Sequence, residues 1–317
     1  MNTLLLDGIN QPIYAINKAV ELLQAGELVA FPTETVYGLG ASVFNVNQIQ
    51  KIFSTKGRPS DNPLIVHISY IDEVYSVASE VPDEYHVLAT HFFPGPLTVV
   101  LPKKSAVPDI VSAGLPSVAV RMPHHQRALD LIKAVGTPLV APSANISGKP
   151  SPTTAAHVME DFDRKIAAII DGGACKIGIE STVISLLDVK KPVILRPGMI
   201  TRSELELVLG ITIQLADDKT THHSPGMKYR HYSPNAVVYL TEDIASLPLD
   251  MASTLILTSQ TLLIDGTFYR ELSPQTLYSE FRRADMLGIT EIYIHLTPDI
   301  ESNIGLMNRI MKAVSRI

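Results

Sequence analysis

Ile13, Ile16, Val20 and Leu23 recur at the spacing of one helix face, and Gly26 stands where that helix would end. The apolar run Leu28 to Phe31 then predicts a buried strand. Comparable runs follow at 64–66, 97–101, 118–120, 138–141, 167–170, 182–187 and 193–195, with helical patterns between several of them, as at 48–53 and 153–161. Many short strands mixed with helices predict an α/β unit ending near Gly210, whose connections are too irregular for a regular parallel wind. The pattern restarts after a polar stretch. Strands are expected at 236–240, 254–258 and 291–296, and helix faces at Leu277, Phe281 and Ala284 and at Ile304, Met307 and Met311. The expected division is therefore 1–210, a linker at 211–235, and a small three-layer α/β domain at 236–317.

Composition narrows the class. A chain of 317 residues that is 46% apolar and 18% charged can bury a large core, and more than one domain. A net charge of −6 argues against a surface that coats nucleic acid, while leaving room for local basic pockets that hold phosphate. Met1 to Gln11 lack the basic start and uninterrupted apolar core of a secretory signal, and no apolar run approaches bilayer length. The one cysteine, Cys175, cannot build an intrachain disulfide framework or a multi-cysteine zinc site, so a cytoplasmic location is expected.

Chemistry gathers at the ends of the predicted strands. Phe31-Pro32-Thr33-Glu34-Thr35-Val36-Tyr37-Gly38-Leu39-Gly40 leaves a strand with hydroxyls, a carboxylate and two glycines; alone it could equally be a turn. Neither GxGxxG nor a Walker lysine motif occurs. In Lys56-Gly57-Arg58-Pro59-Ser60-Asp61-Asn62-Pro63-Leu64 two cations flank a glycine and can hold a phosphate chain, although each taken singly reads as a solvated surface charge. His67 suits a ligand contact or a hydrogen-bonded core position. Arg121 ends an apolar strand, where burial would demand a carboxylate partner, structural or from a substrate. Residues 141–153, rich in proline and hydroxyls, lead into a helix whose start could be capped by Ser151 or Thr153 or could bind an anion. Cys175 reads as a packed thiol, and the pairs His124-His125 and His222-His223 lack metal-site spacing. The strap Ser224 to Pro234 is too broken by proline and glycine for a helix, yet carries Lys228, Tyr229, Arg230, His231 and Tyr232. It suits a lid over a nucleotide or an interdomain strap.

Taken in order, FPTETVYGLG, KGRPSDNPL followed by His67, FFPGPLT at 92–98, SVAVRMP, PSANISGKPSPT, ESTV at 180–183, LRPG at 195–198 and SPGMKYRHYSP are recognisable together. The chain resembles the long, two-domain threonylcarbamoyl-AMP synthases, densely over 12–235 and beyond that only in having a small α/β domain. The resemblance implies a twisted α/β catalytic domain like YrdC with a deep basic cavity, a linker across it, and a Rossmann-like small domain. It implies a nucleotidyltransferase that makes L-threonylcarbamoyl-adenylate and pyrophosphate from L-threonine, bicarbonate or carbon dioxide, and ATP with its magnesium. The product would pass to a transferase that modifies adenosine next to the anticodon of transfer RNAs reading codons that begin with adenine. Direct contact with transfer RNA is left open. The family pattern puts Thr35, His67, Arg121, Ala141 and Ser181 around threonine. It puts Arg58, Asn62, Ser117, Ser143, Ser151, Arg196 and Tyr232 around ATP, with Lys56 near the phosphates and Lys56 and Arg58 as catalytic cations. Two other readings compete. A carbamoyltransferase of hydrogenase maturation would carry a zinc-finger-like module that one cysteine cannot build. A double-stranded RNA-binding module suits the charge and the hydroxyl-rich loops less well than a small anionic substrate does.

Overall fold

Each apolar run of the first segment becomes a strand, and strands that the runs did not announce join them. The computed structural model describes residues 2–216, 233–245, 247, 253–260 and 269–314, so Tyr232 and the cations of the strap lie outside the described residues. The first sheet contains β1 (Leu4–Asp7), β2 (Val29–Phe31), β3 (Gly38–Ser42), β4 (Ile65–His67), β5 (Leu97–Pro102), β6 (Ser117–Arg121), β7 (Leu139–Val140), β8 (Ala168–Asp171), β9 (Thr182–Ser185), β10 (Val193–Arg196) and β11 (Gln214–Leu215). Their order is β1-β8-β2-β3-β7-β4-β6-β5-β9-β10-β11, with parallel and antiparallel neighbours mixed.

Alternation sets which side chain faces which layer. Val29, Phe31, Leu139, Ala168 and Ile170 join the core under the helices Pro12–Gln24 and Gln126–Val135. Ala30, Val140 and Ile169 face the opposite core, with Ile49 and Ile52 of the helix Val46–Lys56 and Val158 and Phe162 of the helix Ala155–Phe162. The central strands are thus buried on both faces, which is why they read as unbroken apolar runs. The first helix keeps Ile16, Leu23 and, partly buried, Val20 on its expected face, and departs from it at Ile13. It buries Ala15, Ile16, Ala19 and Leu23, while Ile13 is exposed, because the alanines permit close packing on the sheet.

β3 carries no apolar run, and a steric reason explains its sequence. A Cβ on Gly40 would lie 2.9 Å from Cε1 of Phe31 and 3.1 Å from the Val29 carbonyl oxygen. The missing side chain leaves room for the Phe31 ring beside the neighbouring strand. Gly40→Ala is expected to lower stability by about 1–3 kcal/mol, measured by chemical denaturation, since ring and backbone would both have to move.

The second sheet, all parallel, holds β12 (Val237–Thr241), β13 (Thr254–Thr258), β14 (Tyr269–Glu271) and β15 (Glu291–His295) in the order β12-β15-β13-β14. Its core takes Tyr278 and Phe281 from the helix Leu277–Leu287 and Ile310 from the helix Ile304–Ala313, and it also takes in Val36 and Ile179 from the first segment. The last helix corrects an expectation. Ile304 and Met311 are exposed, and the buried face is Leu306, Arg309, Ile310 and Ala313. An arginine at the centre of that face hides it from an apolar pattern. At the seam, Gly305 meets Gly198 so closely that a Cβ on Gly305 would sit 2.6 Å from the Gly198 carbonyl oxygen.

Candidate active site

The parallel neighbours β4 and β6 end level with each other, in a register that pairs His67 with Arg121. Around these ends lies one cavity, lined by Thr35, Lys56, Arg58, His67, Arg121, Ala141, Ser143, Ser181 and Arg196 among the expected residues. Residues separated by more than a hundred positions converge because strand order in the sheet differs from chain order.

Arg121 is buried, with Nη2 2.8 Å from Glu34 Oε1 in ionic contact and Nε donating to the Gly95 carbonyl at 3.2 Å. The structural carboxylate that a buried arginine requires is therefore Glu34, on the loop that follows β2. In the same loop the Thr33 hydroxyl donates to the Val36 carbonyl at 2.6 Å. Its hydrogen being committed there, the 2.9 Å contact with Thr35 Oγ1 has Thr35 as donor, which leaves the Thr35 oxygen as an acceptor toward the cavity.

His67 lies 3.2 Å through Nδ1 from the Ile65 carbonyl, so the proton sits on Nδ1 and Nε2 keeps its lone pair. Burial, reinforced by the Arg121 charge, pushes its pKa down to about 3. At neutral pH it is an uncharged acceptor, far too weak a base to remove a proton from an ammonium group.

Lys56 closes the helix Val46–Lys56, with Gly57 in the left-handed region at φ 59° turning the chain away. Its ammonium is buried and donates to the carbonyls of Ser143 and Asn145. Burial first, and then Arg58, hold its pKa well below the usual lysine range. Lys56 thereby ties the hydroxyl-rich loop to the cavity wall. Arg58 Nη2 donates to the carbonyls of Asn62 and Pro63, each at 3.2 Å. On the opposite wall Arg196 Nε donates to the Ser181 carbonyl at 3.1 Å and Nη2 to the Ser181 hydroxyl at 3.1 Å, while Thr98 Oγ1 lies 2.7 Å from that hydroxyl.

Three expected residues do not line the cavity. Asn62 is buried and is not part of its lining. Ser117 starts β6, whose other end is Arg121, roughly 13 Å away at the rise of a strand. Ser151 is fully buried and donates to Glu180 Oε1 at 2.6 Å. Thr33, Asn145, Lys149 and Glu180 line the cavity without having been expected there, and Glu34 and Thr98 stand behind it as partners of Arg121 and Ser181. All but Thr98 are side chains whose companions in the same motif drew attention first. Cys175 is buried, and its thiol is pushed up to about 12 by that burial. His125 caps the helix Gln126–Val135, accepting from the Arg127 N–H. His222 and His223 lie outside the described residues. Among the described residues no group of three or more His, Cys, Asp or Glu gathers to hold a metal ion.

Comparison with known proteins bears on this arrangement. A family model of the Sua5, YciO and YrdC proteins, described as "Telomere recombination", matches residues 21–198. A second, described as "Threonylcarbamoyl-AMP synthase, C-terminal domain", matches residues 200–315. The threonylcarbamoyl-AMP synthase of Pyrococcus abyssi is 44% identical over 95% of this chain and 94% of its own length. That of Bacillus subtilis is 42% identical over 94% of this chain and 92% of its own. The crystal structure of P. abyssi Sua5 complexed with L-threonine superimposes with a TM-score of 0.87 at 41% identity, covering 99% of this chain and 97% of that one.

Proposed function

This chain belongs to the threonylcarbamoyl-AMP synthase family, and we propose that it joins L-threonine, bicarbonate or carbon dioxide, and ATP into L-threonylcarbamoyl-adenylate, releasing pyrophosphate. It is a nucleotidyltransferase of transfer RNA processing. The observation that carries the reaction is the convergence of Lys56, Arg58, Arg121 and Arg196 with the hydroxyls of Thr35, Ser143 and Ser181 in one cavity. That set suits two anionic substrates held side by side, and offers no activated nucleophile of its own.

In this reading the amine of threonine adds to carbon dioxide, and a carbamate oxygen attacks the α-phosphorus of ATP as pyrophosphate leaves. Arg121 receives the threonine carboxylate. Thr35 Oγ1 and His67 Nε2 accept from its amine or hydroxyl, with Ala141 and Ser181 completing the pocket. Arg58, Ser143 and Arg196 hold the nucleotide, with Tyr232 closing over it from the linker and Lys56 fixing the loop beside the phosphates. Asn62, Ser117 and Ser151 stay in the proposed ATP set, although they do not line the cavity itself. Catalysis is then positioning and charge stabilisation, which offsets the repulsion between carbamate and triphosphate. Glu34 and Glu180 are each paired with an arginine, so magnesium would be held by triphosphate oxygens and water rather than by these carboxylates. We extend the proposal to a catalytic domain at 1–210, a lid at 211–235 and a small domain at 236–317. It extends equally to delivery of the product to a transferase acting next to the anticodon, in a cytoplasmic setting. No helix of the described residues is long and apolar enough to cross a membrane.

Incubation with ATP, threonine and bicarbonate should release pyrophosphate and yield the labile adenylate, with both signals lost when any one component is omitted. Threonine should be preferred over serine by about 1–3 kcal/mol, the limit for one methyl group in a pocket. Equal use of serine, or indifference to bicarbonate, would remove this chemistry from the chain. Salt-sensitive binding of double-stranded RNA without threonine-dependent ATP use would favour the RNA-binding reading instead.

A further inference from the structure

Behind the Ser181–Arg196 wall sits a charge that the reaction scheme leaves unused. Glu180 is buried at the edge of the cavity. Its Oε1 accepts from Ser151, and its Oε2 accepts from the Tyr278 hydroxyl at 2.9 Å and from Arg309 Nε at 2.7 Å. The same guanidinium donates through Nη2 to the Glu180 carbonyl at 3.0 Å and through Nη1 to the Pro197 carbonyl at 2.9 Å. Arg309 therefore grips the residues that immediately precede Ser181 and follow Arg196. It is fully buried and arrives from the last helix, beyond the second sheet. Burial alone would raise the Glu180 carboxyl, but Arg309, and after it Arg196, hold it below the usual range.

We propose that Arg309 is a positioning residue for the nucleotide: it neutralises Glu180 from the second sheet's side, so that the Arg196 charge stays with the cavity. The inference rests on the reading that ATP occupies this cavity. An anionic ligand would be repelled by an uncompensated carboxylate at the wall, and that carboxylate would otherwise draw Arg196 toward itself. Tyr278, on the helix Leu277–Leu287, supplies the second grip from the same side. The neighbouring pair, Arg282 with Asp161 at 2.8 Å and with the Pro150 carbonyl at 2.7 Å, anchors the hydroxyl-rich loop in the same way. The second sheet and its helices thus set the electrostatics of a cavity they do not line.

The test uses the full-length chain in four forms: wild type, Arg309→Met, Arg309→Lys and the double variant Glu180→Gln with Arg309→Met. ATP affinity is read by titration calorimetry, alongside steady-state pyrophosphate release and melting temperature. Arg309→Met should weaken ATP binding by ~10- to 100-fold, more than it raises the KM for threonine. Arg309→Lys, which keeps the charge, should stay within ~3-fold of wild type. The double variant should regain most of the lost affinity, because it strands no charge. If Glu180→Gln fails to rescue, or Arg309→Lys falls as far as Arg309→Met, Arg309 is packing alone and the inference is overturned. An Arg309→Met protein with wild-type affinity overturns it equally. A wild type that binds ATP without turning it over would sink the proposed reaction while leaving the affinity comparison decisive. A wild type that binds no ATP overturns both.

Discussion

Arg121→Ala is expected to cut threonine-dependent pyrophosphate release by ~100-fold or more, with most of the loss in the KM for threonine. The guanidinium stands at the carboxyl end of β6 and uses its Nε on Gly95 and its Nη2 on Glu34. Five N–H donors exceed those two contacts, and a bidentate carboxylate is the ligand that matches the remaining fork. The same substitution strands Glu34 as a buried carboxylate, at a cost of about 3–5 kcal/mol in stability. Pairing Arg121→Ala with Glu34→Gln separates the two effects. Thermal stability should return in the double variant, and threonine use should not. If activity returned along with stability, Arg121 would belong to the scaffold alone.

Acid should weaken the fold through His67. Its folded pKa of about 3 lies below the ordinary histidine value of 6.5, so between those limits the unfolded chain binds the extra proton. The contribution is complete above about pH 6.5 and is lost as pH falls toward 3. At pH 5 the His67 share is about 2 kcal/mol. His157, pushed down to about 4 by burial and then by Arg282, adds to the loss in the same direction. Urea denaturation of wild type and His67→Gln at pH 7 and pH 5 isolates the first share. The stability gap between them should narrow by about 2 kcal/mol at the lower pH. Parallel losses would mean that the buried imidazole accepts its proton without penalty.

What the sequence revealed follows from which forces leave a pattern. Strands buried on both faces must be apolar throughout, so β2, β5, β6, β8 and β10 stood out as runs. β3 did not, because its place beside Phe31 demands Gly38 and Gly40 rather than bulk, and glycine in a strand looks like a turn. The face of the helix Ile304–Ala313 escapes an apolar pattern for a related reason. Arg309 is satisfied by Glu180, a partner 129 positions away that no periodicity records. Cavity residues were legible where a cation or hydroxyl ended an apolar run, as with His67, Arg121 and Arg196. Ser151 shares a motif with Ser143, yet donates to Glu180 from inside the wall while Ser143 lines the cavity, and only the folded geometry separates the two serines.

The order in which strands lie across the first sheet also governs when the cavity can first exist. Its floor joins the ends of β4 and β6, the residue after β7 and the residue before β9, each delivered by a different and distant stretch of chain. Loop closure must be completed for every one of these stretches before the pocket is complete, which makes the whole cavity a late product of folding. Arg309 reaches Glu180 only once the helix Ile304–Ala313 has been made, so a nascent chain that stops short of it presents an unfinished wall. Fragments ending before that helix should have no graded activity, and regain of ATP binding during refolding should follow the slowest phase rather than the burial of the first core.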